Sequence, residues 1–341
     1  MIITMKANAT AEQIRAVIQE VERFDCRADV NHGEQRVVIG LVGDWRGKTA
    51  PEHFMDFSGV ENAIPILKPY KEASRAFHPQ DTTIEIDDVI IGPGHFQIMA
   101  GPCAVESEAQ IMKAARFLKS LGVRILRAGA FKPRSSPYSF QGLGEEGLQI
   151  LKTAKEETGL KIITEALHIR WIDQVAACAD IIQIGARNMQ NYDLLREVAG
   201  AGRAVLLKRG FQNTLSETLM SADYLLDSGC KDIILCERGI RGFDNEFTRN
   251  VLDLAAVPVF QSESHLPVVV DPSHGTGRRE LVKSLSMAAV AVGANGLLLE
   301  VHPCPSEALC DGPQQLPLEE FQALKQALDP LVELILSGSS A

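Results

Sequence analysis

At 341 residues the chain can hold one large domain plus a small one, and with 45% hydrophobic and 23% charged residues it belongs among ordinary globular proteins. A net charge of −10 argues against nucleic-acid or anionic-membrane partners, both of which call for a positive surface. Seven cysteines with no CxxC pair fit a reducing cytoplasm, residues 1–13 lack a secretory apolar core, and the uncharged run Ser284–Leu299 is too short to cross a bilayer.

The first stretch reads β-α-β-β-α-β. Met1–Lys6 is strand-like, and Thr10 with Gln13 forms a capping box opening a helix whose Ile14, Val17, Ile18 and Val21 share a face. Arg27–Val30, a turn at His32 and Gly33, and Arg36–Val42 read as a hairpin, followed by a short helix after Pro51 and a last strand, Ala63–Leu67. That order predicts a small ferredoxin-like domain over residues 1–70, without catalytic residue clusters. Residues 71–82 are polar and aperiodic, and read as a linker.

From residue 83 to 341 the pattern changes. A hairpin turning at Asp87 and Asp88 precedes eight repeats of short apolar strand and amphipathic helix. The strands are expected at Gln97–Ala100, Val123–Arg127, Lys161–Glu165, Ile181–Ile184, Ala204–Lys208, Asp232–Cys236, Pro267–Asp271 and Gly296–Val301. Eight such units predict a (β/α)8 TIM barrel, fold class α/β. Gly142, Gly144 and Gly147 match GxGxxG, but they follow a Ser/Pro/Tyr loop rather than a strand, so no dinucleotide site is expected there.

In such a barrel the active site lies at the carboxyl ends of the strands. Those ends are chemically loaded. Arg127, Lys132, Arg134, Arg187, Lys208 and Arg238 form a ring of six cations. Any one of them alone reads as a surface salt bridge; six at matching positions read as a floor for small, highly anionic molecules. Cys103, His274, Glu300 and Asp311 form a second group whose sulfur, nitrogen and oxygen donors suit a divalent ion such as Mn, Fe, Co or Zn. Closing the barrel sets strand eight beside strand one and brings Glu300 toward Cys103. The same closure puts Cys304, after strand eight, within expected disulfide reach of Cys103.

The ordered set Ala100-Gly101-Pro102-Cys103, Arg127, Lys132-Pro133-Arg134-Ser135-Ser136, Ile184-Gly185-Ala186-Arg187, Leu207-Lys208, Cys236-Glu237-Arg238, Asp271-Pro272-Ser273-His274 and Glu300-Val301-His302 resembles the 3-deoxy-D-arabino-heptulosonate-7-phosphate (DAHP) synthases with an N-terminal ferredoxin-like domain. The resemblance covers essentially the whole chain. It implies condensation of phosphoenolpyruvate with erythrose 4-phosphate, the entry step of the shikimate pathway. By the same resemblance Arg127, Lys132, Arg187, Lys208 and Arg238 bind phosphoenolpyruvate, lined by the Gly185 and Ala186 backbone and Glu165. Arg134, Ser135 and Ser136 take the sugar phosphate. Lys132, Cys103 and His274 act in catalysis, and the ion on Cys103, His274, Glu300 and Asp311 polarises the aldehyde. Ser135 stands where relatives often have Thr, and Cys304 and Cys310 depart from the usual tail. The small domain resembles one that binds an aromatic amino acid, which implies feedback inhibition by tyrosine or phenylalanine, and the family implies a homotetramer. Two other readings are a 3-deoxy-octulosonate 8-phosphate synthase, opposed by Pro133-Arg134 and the extra domain, and an inactive barrel scaffold, opposed by the complete strand-end set.

Overall fold

The computed structural model describes residues 1–338 apart from positions 34–35, 44, 46, 66–67, 134–135 and 245. The chain forms two compact units, Met1–Pro69 and a second beginning at Tyr70.

In the first unit β1 (Ile2–Met5), α1 (Ala11–Arg23), β2 (Arg27–His32), β3 (Val37–Val42), α2 (Pro51–Met55) and β4 (Val60–Ile64) build an antiparallel sheet of order β2-β3-β1-β4. The capping box forms as the spacing predicts: Gln13 N–H donates to Thr10 Oγ1 at 3.3 Å, and Thr10 N–H to Gln13 Oε1 at 2.9 Å. Val17 and Val21 of α1 and Phe54 of α2 close a core with Ile3, Met5, Ile39 and Leu41. The last strand lies three residues earlier than Ala63–Leu67, the expected span, whose last two residues are outside the described ones. Gly59, at φ 92°, turns the chain into it, and Pro65, which has no N–H for the ladder, ends it.

The second unit opens with residues expected as a linker, yet they are docked on it. Tyr70 is buried and hydrogen-bonds to Glu263, while Asp223 accepts the backbone N–H groups of Lys71 and Ala73 at 2.5 and 2.7 Å. Arg75 Nε donates to Gln261 O at 2.9 Å. A hairpin of β5 (Ile84–Ile86) and β6 (Val89–Ile91) follows.

Eight parallel strands then close a barrel: β7 (Gln97–Gly101), β8 (Ile125–Arg127), β9 (Lys161–Glu165), β10 (Ile181–Ile184), β11 (Ala204–Lys208), β12 (Ile233–Glu237), β13 (Val268–Val270) and β14 (Gly296–Glu300). Between and after them come α3 (Glu108–Ser120), α4 (Glu145–Thr158), α5 (Ile172–Cys178), α6 (Tyr192–Ala199), α7 (Leu215–Asp227), α8 (Ala256–Glu263), α9 (Pro272–Thr276), α10 (Arg279–Ala291) and α11 (Leu318–Gly338). The strands are buried on both faces, which is why they read as continuous apolar runs. Their outward residues pack with the helices into one large core, and their inward residues, among them Ile125, Ile163, Ile181, Leu206 and Leu298, pack on Ile84, Val89 and Ile91 of the hairpin. Gly142 and Gly144 lie in the loop that leads into α4, and Gly147 sits in its first turn.

Strands β14 and β7 pair with Glu300 opposite Gly101. Gly101 has φ 153°, and a Cβ there would stand 2.2 Å from the backbone oxygen of Arg127. Gly101→Ala is therefore expected to destabilise the barrel by more than the about 1–3 kcal/mol that ordinary overpacking costs, because backbone rather than a side-chain tip must move. Urea unfolding of the variant measures it.

Candidate active site

Side chains along a strand point alternately in and out, so the inward row two residues above the apolar layer must also face the barrel axis. Above Ile125 stands Arg127, above Ile163 Glu165, above Ile181 Gln183, above Leu206 Lys208, and above Leu298 Glu300. One step up each strand, the interior changes from hydrocarbon to charge. The result is a cavity of about 340 Å³ at the carboxyl ends of the strands. Its walls include Arg127, Lys132, Ser136, Glu165, Gly185, Ala186, Arg187, Lys208, Arg238, His274 and Asp311. Arg134 and Ser135, expected beside Lys132, lie outside the described residues.

A chain of linked charged and polar groups crosses the floor. Lys208 Nζ donates to Asp271 Oδ2 at 2.7 Å, and the same oxygen lies 2.6 Å from His274 Nδ1. His274 Nε2 stands 3.3 Å from Glu300 Oε1, which accepts from Arg127 at 2.8 Å. Glu300 Oε2 accepts from Gln314 Nε2 at 2.5 Å. Burial works against the Asp271 carboxylate, but His274 and Lys208 outweigh it and hold this group well below the usual range. Burial likewise opposes Glu300, yet His274, Arg127 and Lys132 bring it down to about 2. For His274 burial wins over Asp271 and Glu300, and the imidazole is held below its ordinary value. Lys132 is raised, because Cys103, Cys310 and Glu300 overcome its burial, and its Nζ donates to Cys103 O at 3.1 Å.

The opposite wall is a cation surface. The guanidiniums of Arg187, Arg238 and Arg241 stand over the Phe211 ring at 5.2, 4.6 and 5.6 Å from its centroid. Arg238 is buried, donates to the backbone oxygens of Gly239 and His274, and has its pKa lowered by burial. Among the described residues, neither Arg187 nor Arg238 has a carboxylate in an ion pair. Arg187 and Arg241 face solvent, whereas Arg238 is buried, and a buried cation without an ion-paired carboxylate carries a desolvation cost that an entering anion offsets. Glu165 is set at its edge by Gln183 Nε2, 3.1 Å away, and Gly185 leaves the room that Glu165 needs: a Cβ there would meet Glu165 Oε1 at 2.0 Å.

Two donor groups meet at the floor. His274, Glu300 and Asp311 offer ligand atoms all within 4.8 Å of one another, and so do Cys103, Cys310 and Asp311. The first group fits a cation on its own chemistry. Asp271 fixes the proton on Nδ1, so the Nε2 lone pair of a neutral imidazole faces an ionised Glu300, an arrangement a positive ion between them relieves. Cys103 is fully buried, and its thiol is raised by the Cys310 contact and by burial. The expected Cys103–Cys304 proximity is corrected here: the sulfur 3.0 Å from Cys103 Sγ is Cys310 Sγ, while Cys304 Sγ lies against Ser306 Oγ at 3.3 Å. The loop after β14 turns at Asp311, in left-handed conformation at φ 52°, and this turn presents residue 310 rather than 304 to β7.

Sequence reasoning missed several contributors. Gln183 was within reach, as it falls on the inward row of β10. Phe211, three residues after Lys208, carries no signal until three arginines, Arg187 after β10 and Arg238 and Arg241 after β12, converge on it. Arg249 lines the cavity, 3.6 Å from Asp311 Oδ1. Arg209 is buried and pairs with Glu237 and Asp253, each at 2.9 Å, tying the tops of β11 and β12 so that their neighbours Lys208 and Arg238 keep register.

Comparison with known proteins agrees with this geometry. Residues 1–68 match the DAHP synthase ferredoxin-like domain. The chain is 51% identical over 335 residues, 98% of each chain, to the phospho-2-dehydro-3-deoxyheptonate aldolase of Thermotoga maritima. The crystal structure of a T. maritima protein of that name superposes with a TM-score of 0.80 at 50% identity, covering 98% of both chains. A 2-dehydro-3-deoxyphosphooctonate aldolase from Desulfosudis oleivorans is 35% identical over 72% of this chain and 94% of its own. With residues 76–337 matching the DAHP synthetase I family, on top of the barrel and its strand-end site, the chain belongs to that family.

Proposed function

We propose that the cavity condenses phosphoenolpyruvate with erythrose 4-phosphate to give 3-deoxy-D-arabino-heptulosonate 7-phosphate and phosphate, a transferase reaction at the entry of aromatic amino acid biosynthesis. The observation that carries this reading is the Arg187 and Arg238 guanidiniums, which have no ion-paired carboxylate among the described residues, set against a cluster of metal-type donors in one cavity. Family membership supports the same substrates, and 51% identity over the full length to an enzyme with the small domain favours the heptulosonate product over the octulosonate one.

Arg127, Lys132, Arg187, Lys208 and Arg238 hold the phosphate and carboxylate of phosphoenolpyruvate. Each charge-assisted bond contributes about 1.5–3 kcal/mol, which offsets the repulsion between two anionic substrates. Lys132 keeps its proton and serves as a cation and hydrogen-bond donor rather than a base. Glu165 and the Gly185 and Ala186 backbone shape the same subsite, and Ser136, with Arg134 and Ser135, takes the sugar phosphate. Asp271 orients His274, and Gln314 with Arg127 orients Glu300. A divalent ion held by Cys103, His274, Glu300 and Asp311, of the Mn, Fe, Co or Zn type, would supply Lewis-acid polarisation of the aldehyde oxygen. The first unit is read as the effector-binding part, taking tyrosine or phenylalanine; the cavity and both donor groups belong to the second unit, which leaves the first for regulation. Among the described residues no helix is long and apolar enough to cross a membrane.

Incubation with EDTA is expected to abolish phosphate release from the two substrates, and added Mn, Co or Zn to restore it. Full turnover by protein shown to be free of metal would reject the metal part of the reading.

A further inference from the structure

Cys310 stands outside the four ligands considered so far. A buried cysteine is ordinarily a small hydrophobe, and Cys310 does pack with Ala104 and Phe140. Its sulfur, however, sits 3.0 Å from Cys103 Sγ, inside a donor group that shares Asp311 with His274 and Glu300. One carboxylate thus joins two clusters into a single set of five donors. The approach is held by a buried glutamine: Gln315 Oε1 accepts Cys103 N–H at 3.0 Å and Gln315 Nε2 donates to Cys310 O at 2.8 Å. Upstream, Leu309 N–H is fixed on Glu106 Oε1 at 3.0 Å.

We propose that Cys310 is a second sulfur ligand of this centre, making it a two-thiolate site that prefers thiophilic ions such as zinc, cadmium and cobalt over manganese. The chemistry follows from donor softness, since thiolates select zinc and its neighbours whereas oxygen sets suit manganese and magnesium. The geometry asks little of the protein. Two sulfurs at about 2.3 Å each from a five-coordinate ion, at an angle of roughly 90–120°, stand about 3.3–4.0 Å apart, so the pair opens by about 1 Å or less. Each thiol loses its proton on binding, so two protons leave per ion taken up.

This inference rests on the metal reading above, and the test separates the two. The full-length reduced protein is stripped of metal and loaded with one equivalent of cobalt or zinc. X-ray absorption of the wild-type protein should show two sulfur neighbours per ion, a result that does not depend on any variant folding. Cys310→Ser and Cys103→Ser should each keep about half of the thiolate-to-cobalt charge-transfer absorption per bound ion. Cys310→Ser should also lower the cadmium-to-manganese affinity ratio at least tenfold. One sulfur neighbour, or an unchanged band and ratio in Cys310→Ser, would overturn the role of Cys310 while leaving the metal site intact. Wild-type protein that binds no cobalt would overturn both.

Discussion

Asp271→Ala is expected to destabilise the protein by about 3–5 kcal/mol and to abolish turnover together. Asp271 is fully buried and serves three groups: Lys208 Nζ at 2.7 Å, His274 Nδ1 at 2.6 Å, and His274 N–H at 2.9 Å. Truncation strands the Lys208 ammonium, itself only 4% exposed, without its carboxylate, and breaking a buried pair from one side carries that cost. It also frees His274 to take the other tautomer, so that Nε2 no longer offers its lone pair beside Glu300. Denaturant unfolding and steady-state rates measure the two losses. Asp271→Asn, which keeps the volume and a hydrogen bond to His274, should recover part of the stability and little of the rate. A variant with normal stability and normal turnover would show that Asp271 organises nothing here.

Arg238→Met should do the reverse. Its guanidinium is buried without an ion-paired carboxylate among the described residues; two backbone oxygens and the Phe211 ring offset its desolvation in part, and a bound anion offsets more. An apolar side chain of similar volume removes that cost, and the free protein should be as stable as before or more so. Affinity should fall instead: losing one charge-assisted bond of about 1.5–3 kcal/mol raises the KM for phosphoenolpyruvate about 10- to 150-fold. Melting curves with and without phosphoenolpyruvate, alongside KM values for both substrates, separate the effects. A destabilised protein with unchanged KM would place Arg238 in the scaffold rather than in the anion site.

These two residues also mark how far the sequence could be read. The barrel strands were legible to within about two residues at either end, because parallel strands buried on both faces are short apolar runs punctuated by turns. The strand-top ring was legible for a related reason: a period of two places Arg127, Lys208 and Glu300 on the same inward row as the core residues below them. What could not be read depends on contacts between distant segments. Asp223 anchoring Lys71 and Ala73 turned an aperiodic polar stretch into a docked one. Phe211 gathers three arginines, and Gln314 and Gln315 reach back to Glu300 and Cys103, from a loop whose sequence shows only a turn at Asp311 and Gly312. Cys304 was the expected neighbour of Cys103; the path of that loop put Cys310 there instead.

The most direct measurement is turnover of the full-length protein with phosphoenolpyruvate and either erythrose 4-phosphate or arabinose 5-phosphate, the acceptors that separate the heptulosonate and octulosonate reactions. A pocket built for the four-carbon sugar should favour erythrose 4-phosphate in kcat/KM by about 100-fold or more, since one added carbon moves the phosphate off its subsite. Equal or greater efficiency with arabinose 5-phosphate would contradict the proposed reaction.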